Sequence, residues 1–216
     1  AGRIGKVHAR AVGSNADARL VAVADAFDKP AREIADAHGA EIRSIEEIEK
    51  AKDIDAVIIC TPTDTHADLI ERFAKAGKSI FCEKPVDLDA KRVRKCLATV
   101  ENAGAILMVG FNRRFDPHFA AVRKAIDEGA IGEVEMVTIT SRDPGAPPVE
   151  YLERSGGIFR DMLIHDFDIF RWILDDAAAT VYATGSVLTD PSVGTVGDID
   201  CTAVTIRTRK GRLCQI

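Results

Sequence analysis

The chain has 216 residues, 46% of them hydrophobic and 29% charged, with a formal net charge of −5. That is the balance of an ordinary globular protein, which excludes disordered and fibrous classes, and the interleaving of basic with acidic residues leaves no field to hold a nucleic-acid backbone. No stretch approaches the roughly 20 apolar residues of a membrane helix.

The five cysteines, Cys60, Cys82, Cys96, Cys201 and Cys214, are widely spaced and form no C-x-x-C, so they read as reduced core thiols of a cytoplasmic protein. The chain opens on a glycine turn at Ala1 to Gly5 with no strand before it, and it stops inside a strand-like run at Leu213 to Ile216. Both ends therefore read as cut relative to the working protein.

In chain order, strand-like and helix-like stretches alternate. Arg19 to Ala24 reads as a strand, Pro30 to His38 as a helix, Ala56 to Cys60 as a strand and Thr65 to Ala76 as a helix. Ser79 to Cys82 (strand), Leu88 to Asn102 (helix) and Ala105 to Val109 (strand) continue the rhythm, which is that of βαβ units around a parallel sheet. Gly39, Gly77 and Gly104 each follow a helical stretch, where a left-handed cap belongs.

After Phe111 the pattern changes. His118 to Glu128 reads as a helix, and Glu133 to Thr140 alternates as a half-exposed strand. A Pro/Gly-rich loop, Asp143 to Pro148, leads past Gly156 and Gly157 into one apolar helix from about Asp161 to Leu174. Thr180 to Val187, Ile199 to Arg207 and Leu213 onward read as strands, the last two joined by a turn at Arg209 to Gly211. The expected fold class is α/β: a parallel-sheet domain over 1–112, lacking its first strand, then an α+β domain over 113–216 with an open, mainly antiparallel sheet whose C-terminal part is missing.

Gly2 and Gly5, with Arg3 and Ile4 between them, fit the second and third glycines of G-x-G-x-x-G, which let a pyrophosphate reach the backbone and a helix N-terminus. Asp25 follows about 20 residues on, at the end of an apolar run, where a carboxylate accepts both ribose hydroxyls of an adenosine. Together they make the first domain Rossmann-type and the cofactor NAD. Lys29 and Arg32 lie close enough to keep NADP as the alternative.

Cys60-Thr-Pro-Thr63 closes a strand at the carboxyl edge of the sheet, so Thr61 and His66 are candidates to line the nicotinamide side, or His66 is simply a first-turn helix residue. Glu83-Lys84-Pro85 puts a lysine at the same edge, on backbone that proline stiffens. Asp161 and His165, four apart, are expected on one helix face, with Asp166 and Asp168 pointing elsewhere. Oxidising a carbinol needs a base for the hydroxyl proton, which histidine suits, and a cation or carboxylate to orient the hydroxyl and steady charge on oxygen. A metal site or a structural hydrogen bond competes for the Asp161 and His165 pair, but no further ligand stands at metal spacing and no metal is expected.

These motifs resemble the glucose-fructose oxidoreductase/inositol dehydrogenase family, through the glycine-rich start, Glu83-Lys84-Pro85 and Asp-x-x-x-His from Asp161 to His165. Gly110-Phe-Asn-Arg-Arg-Phe-Asp-Pro117, Gly156-Gly-Ile-Phe-Arg-Asp-Met162 and Ala183-Thr-Gly-Ser-Val-Leu188 are similar to its inositol branch. The resemblance implies a catalytic trio of Lys84, Asp161 and His165, with His165 as base, and cofactor contacts that include Glu83. It also implies that Asn112, Arg113 and Asp143 face the ring hydroxyls of a cyclitol or sugar, and that a homotetramer forms through the open sheet face. Another polyol or sugar dehydrogenase, or a non-catalytic NAD-sensing regulator, is the alternative function.

Overall fold

A computed structural model describes residues 1–216, which divide into two compact units, Ala1–Gly110 and Phe111–Ile216.

In the first unit, α1 (Arg3–Gly13) precedes β1 (Ala22–Val23), α2 (Asp28–His38), β2 (Glu41–Ile42) and α3 (Ile45–Lys50). Then come β3 (Ala56–Ile59), α4 (His66–Lys75), β4 (Ser79–Cys82), α5 (Ala90–Ala103) and β5 (Leu107–Val109). Every strand pairing is parallel: β1 with β2, and β3-β4-β5 as a second sheet. Parallel neighbours follow from the sequence rhythm, because a helix carries the chain back before each new strand. Ile59, Ile70, Phe73, Ile80, Cys82, Cys96 and Val100 form the main core, with Ile70, Cys82 and Cys96 fully buried. Burying an isoleucine side chain of this kind stabilises the unit by about 1.5–3 kcal/mol.

Helix ends agree with their chemistry. Gly39 and Gly104 cap α2 and α5 in the left-handed region, at φ 64° and 62°. The Asp89 carboxylate accepts from the Lys91 amide at the start of α5. The expected strand over 19–24 is paired only at Ala22 and Val23. β2 and α3 lack an apolar period long enough to announce them, yet Ser44 and Glu47 form a reciprocal capping box at the start of α3.

The second unit comprises α6 (Pro117–Asp127), β6 (Met136–Thr138), α7 (Val149–Ser155), α8 (Ile158–Asp161) and α9 (Leu163–Leu174). β7 (Ala178–Ser186), α10 (Pro191–Thr195), β8 (Cys201–Thr208) and β9 (Leu213–Gln215) complete it. Its sheet has the order β6-β9-β8-β7; β7–β8 and β8–β9 are antiparallel and β6–β9 is parallel, so the sheet is mixed but mostly antiparallel, as expected. Along β8, Val204, Ile206 and Thr208 are buried while Ala203, Thr205 and Arg207 are exposed. The period of two thus gives the sheet one core face. Leu163, Phe170 and Leu174 of α9 fill that core against Val204, Ile206 and Cys214.

Two local expectations change here. The stretch after the Pro/Gly-rich loop is helical as α7, and the single helix expected over 161–174 is two helices, α8 and α9, broken at Met162. The break is visible in the main chain, where the His165 amide donates to the Met162 carbonyl three residues back.

Candidate active site

Helix α1 begins at the glycine turn. Gly2 is extended (φ −72°, ψ −163°), no side chain caps the helix, and its first turn carries Arg3 and no acidic residue. Uncapped N–H groups in a first turn without carboxylates suit an anionic pyrophosphate. A Cβ at either Gly2 or Gly5 would meet nothing within 4 Å, so the approach to the backbone is open. The residues present therefore fit a dinucleotide.

Asp25 follows β1, and its carboxylate accepts from the Phe27 amide at 2.9 Å. Partial burial raises its pKa, and the Phe27 and Ala26 amides lower it. It is therefore a charged acceptor at neutral pH.

The carboxyl ends of β3 and β4 lie level, since Ile59 pairs with Cys82 and the Glu83 amide donates to the Ile59 carbonyl. This register delivers Thr61 and the Glu83-Lys84-Pro85 corner to one edge of the unit. Thr61 is exposed, and its hydroxyl accepts from Thr65 Oγ1 at 2.6 Å. Glu83 accepts from His8 Nε2 of α1 at 2.6 Å, and the His8 ring stands edge-on to Phe81, centroids 5.1 Å apart. A Cβ at Gly110 would come within 3.1 Å of Phe81 and 3.2 Å of the Glu83 carboxylate, so that close approach favours glycine. Lys84 is half-buried, and the Lys84–Pro85 peptide is cis.

His66 has a different place from the one expected beside the nicotinamide. Its ring is only 2% exposed, with Nδ1 2.7 Å from the Pro85 carbonyl and Nε2 2.7 Å from the Thr61 carbonyl. Two main-chain acceptors take both ring nitrogens.

The neighbouring thiols are poor nucleophiles. Burial, with Glu83 adding to it, pushes Cys60 up to about 11, and burial pushes Cys82 up to about 12.

In the second unit, Gly156 and Gly157 take φ of 86° and 80°, conformations that side chains resist. A Cβ at Gly157 would also sit 2.9 Å from Asp198 Oδ1, the oxygen that accepts from the Ile158 amide at the start of α8. That turn places Asp161 at the end of α8, where its carboxylate accepts from the Tyr151 hydroxyl at 2.9 Å. His165 stands in the first turn of α9, edge-on to Phe111 with centroids 6.4 Å apart. Asp161 and His165 thus reach their places from two helices rather than one face of a single helix.

Asp166 and Asp168 do not point idly away. Asp166 is fully buried and bonded to Arg113, while Asp168 takes both Arg114 Nε (2.7 Å) and Nη2 (2.5 Å). Arg113 also donates to Ser141 Oγ at 3.1 Å. Burial raises the Asp166 carboxyl, opposed by Arg113 and Ser141 and assisted by the charge of Asp143. The guanidinium of Arg113 is therefore engaged by its own chain, whereas Asn112 and Asp143 are exposed.

Sequence reasoning missed His8, Phe111 and Tyr151. Phe111 stands inside a motif already singled out, and Tyr151 lies in a stretch read as loop. His8 carries no local signal, because its partner Glu83 is 75 residues away.

Residues 1–111 match a family model described as an oxidoreductase family with an NAD-binding Rossmann fold, and residues 119–216 match the GFO/IDH/MocA C-terminal domain. The chain is 68% identical, over 98% of its length, to an inositol 2-dehydrogenase of Rhizobium meliloti (strain 1021), and it spans 64% of that relative. A crystal structure of a myo-inositol dehydrogenase from Corynebacterium glutamicum ATCC 13032 is similar with a TM-score of 0.94 at 43% identity, covering 100% of this chain and 65% of that one. A scyllo-inositol dehydrogenase from Lactobacillus casei, solved with NAD(H) and scyllo-inositol, has a TM-score of 0.90 at 27% identity, covering 100% of this chain and 66% of that one.

Proposed function

The chain belongs to the GFO/IDH/MocA oxidoreductase family, and on that premise we propose that the protein oxidises a ring secondary alcohol of a cyclitol, converting myo-inositol to 2-keto-myo-inositol (scyllo-inosose) with NAD. The observation that carries this reading is the 68% identity to an inositol 2-dehydrogenase, sustained over 98% of the chain. Because the chain spans 64% of that relative, the activity is proposed for the protein of which these residues are part. NAD, when bound, supplies the two-electron acceptor.

The first unit, taken as the NAD-binding domain over 1–112, offers Gly2, Arg3, Ile4 and Gly5 to the pyrophosphate and Asp25 to the adenosine ribose. Thr61 and Glu83 serve the nicotinamide side, with His66 contributing from behind Thr61. In the second unit, taken as the substrate-binding and oligomerisation domain over 113–216, His165 takes the hydroxyl proton and Asp161 orients it. Lys84 steadies the charge that develops on the substrate oxygen. Asn112 and Asp143 face ring hydroxyls, and Arg113 acts there through its tie to Asp166. A homotetramer in the cytoplasm completes the proposal.

The test is NADH formation by the full-length protein against a panel of inositol isomers and aldoses. Turnover confined to aldoses would replace the substrate, and NAD binding without any turnover would favour a sensing role.

A further inference from the structure

His66 is the most completely buried histidine of the chain, and it does not belong to the trio assigned to the chemistry. Its ring bridges two loops. One follows β3 and carries Thr61; the other follows β4 and carries Lys84 and Pro85. The last rung of the β3–β4 ladder is the bond from the Glu83 amide to the Ile59 carbonyl at 3.0 Å. Past that rung the strands diverge into loops, and the imidazole extends the tie between them.

We propose that His66 is a positioning residue that staples the Thr61 loop to the Lys84-Pro85 corner. A carbonyl oxygen only accepts, so a ring nitrogen bonds its carbonyl when it carries the proton, and both nitrogens stand within hydrogen-bond distance of a loop carbonyl. Leaving either carbonyl buried and unmatched is unfavourable, which locks the two loops together. Thr61 is held a second time, since Thr65 Oγ1 bonds both its hydroxyl, at 2.6 Å, and the Pro62 carbonyl, at 2.8 Å. On the other side, Pro85 has no amide to donate, and its carbonyl is the atom that the imidazole reaches. The Nδ1 arm ends on the residue next to Lys84 and is assigned to the chemical step, and the Nε2 arm ends on Thr61 and is assigned to the cofactor-side loop. This assignment rests on the proposed roles of Thr61 and Lys84.

Two conservative variants separate the arms, because an asparagine amide reaches the place of Nδ1 and a glutamine amide the place of Nε2. In the full-length protein, His66→Gln keeps the Thr61 arm and should lower kcat about tenfold with KM for NAD within about twofold. His66→Asn keeps the Pro85 arm and should raise KM for NAD by about tenfold while kcat changes less. Segment-resolved hydrogen exchange should follow the same split: faster exchange over 86–89 in His66→Gln, and over 61–65 in His66→Asn. Equal effects of both variants on kcat, KM and exchange, or no effect of either, would overturn the staple. If the unmodified protein turns over no cyclitol or sugar, the proposed function fails while the exchange data still judge the staple. Should neither variant fold, nitrogen-15 spectra of the unmodified protein decide: a His66 ring N–H protected from solvent exchange supports the staple, and a freely exchanging one overturns it.

Discussion

The guanidinium of Arg113 is bonded to the carboxylate of Asp166, and Asp166 is fully buried. Removing one partner of such a pair strands the other's charge. Breaking a fully buried pair costs about 3–5 kcal/mol, and with the Arg113 side chain 25% exposed we expect about 2–3 kcal/mol for Asp166→Ala, read from urea denaturation. Arg113→Ala removes the group that opposes burial, so the Asp166 carboxyl is driven further up. A carboxyl whose folded pKa is raised contributes stability at low pH that is lost as pH rises through the folded value. The penalty of Arg113→Ala should therefore grow from acid to neutral pH; a pH-independent penalty would mean that the carboxylate finds another cation.

A second expectation concerns the proposed trio. His165→Ala should lower kcat by about 10² to 10⁴ while leaving NAD affinity nearly intact, because general-base catalysis is worth about that much. Lys84→Ala should be comparably harmful. Near-normal turnover of His165→Ala, measured by NADH formation, would make α9 a structural helix only.

Cofactor choice is expected to rest on Asp25. Asp25→Ser combined with Ala26→Arg should raise the NADP/NAD efficiency ratio by at least about tenfold, roughly 1.4 kcal/mol, since a charged carboxylate repels a 2′-phosphate and arginine attracts it. An unchanged ratio from paired kinetics would place ribose recognition elsewhere.

Asp200 offers a test of pH dependence away from the site. The amides of Leu188, Asp190 and Thr189 hold its carboxyl at about 2, against an ordinary 3.8. A lowered folded pKa contributes stability above the unfolded value that is lost as pH falls through the folded one. The stability gap between the protein and Asp200→Asn should thus be full above about pH 4 and close as pH falls toward 2, in denaturation curves run as a pH series. A gap that persists at the acid end would show that the turn is held without the charge.

Much of this protein can be read locally. Gly39 and Gly104 marked helix ends because a left-handed cap suits glycine, and the alternation from Ala56 to Val109 implied parallel strands because each return needs a helix. The mixed sheet of the second unit was legible only in part, since β6 pairs in parallel with β9 across about 75 residues, and period-two patterning carries no information about partners. Helix spacing misjudged Asp161 and His165 because it cannot show the break at Met162, and α8 is itself started by a contact with Asp198, 40 residues downstream.

The sequence by itself determined which residue types stand at the strand ends and after the glycine turn, and hence the dinucleotide chemistry, because those motifs work through short-range backbone geometry. Only tertiary structure decided which charged and polar groups are already engaged by their own chain. Arg113 is committed to Asp166, Glu83 to His8, Asp161 to Tyr151, and His66 to two carbonyls. A polar group takes its nearest satisfying partner in space, and all four of these side chains find theirs on a different element or loop that local spacing cannot rank.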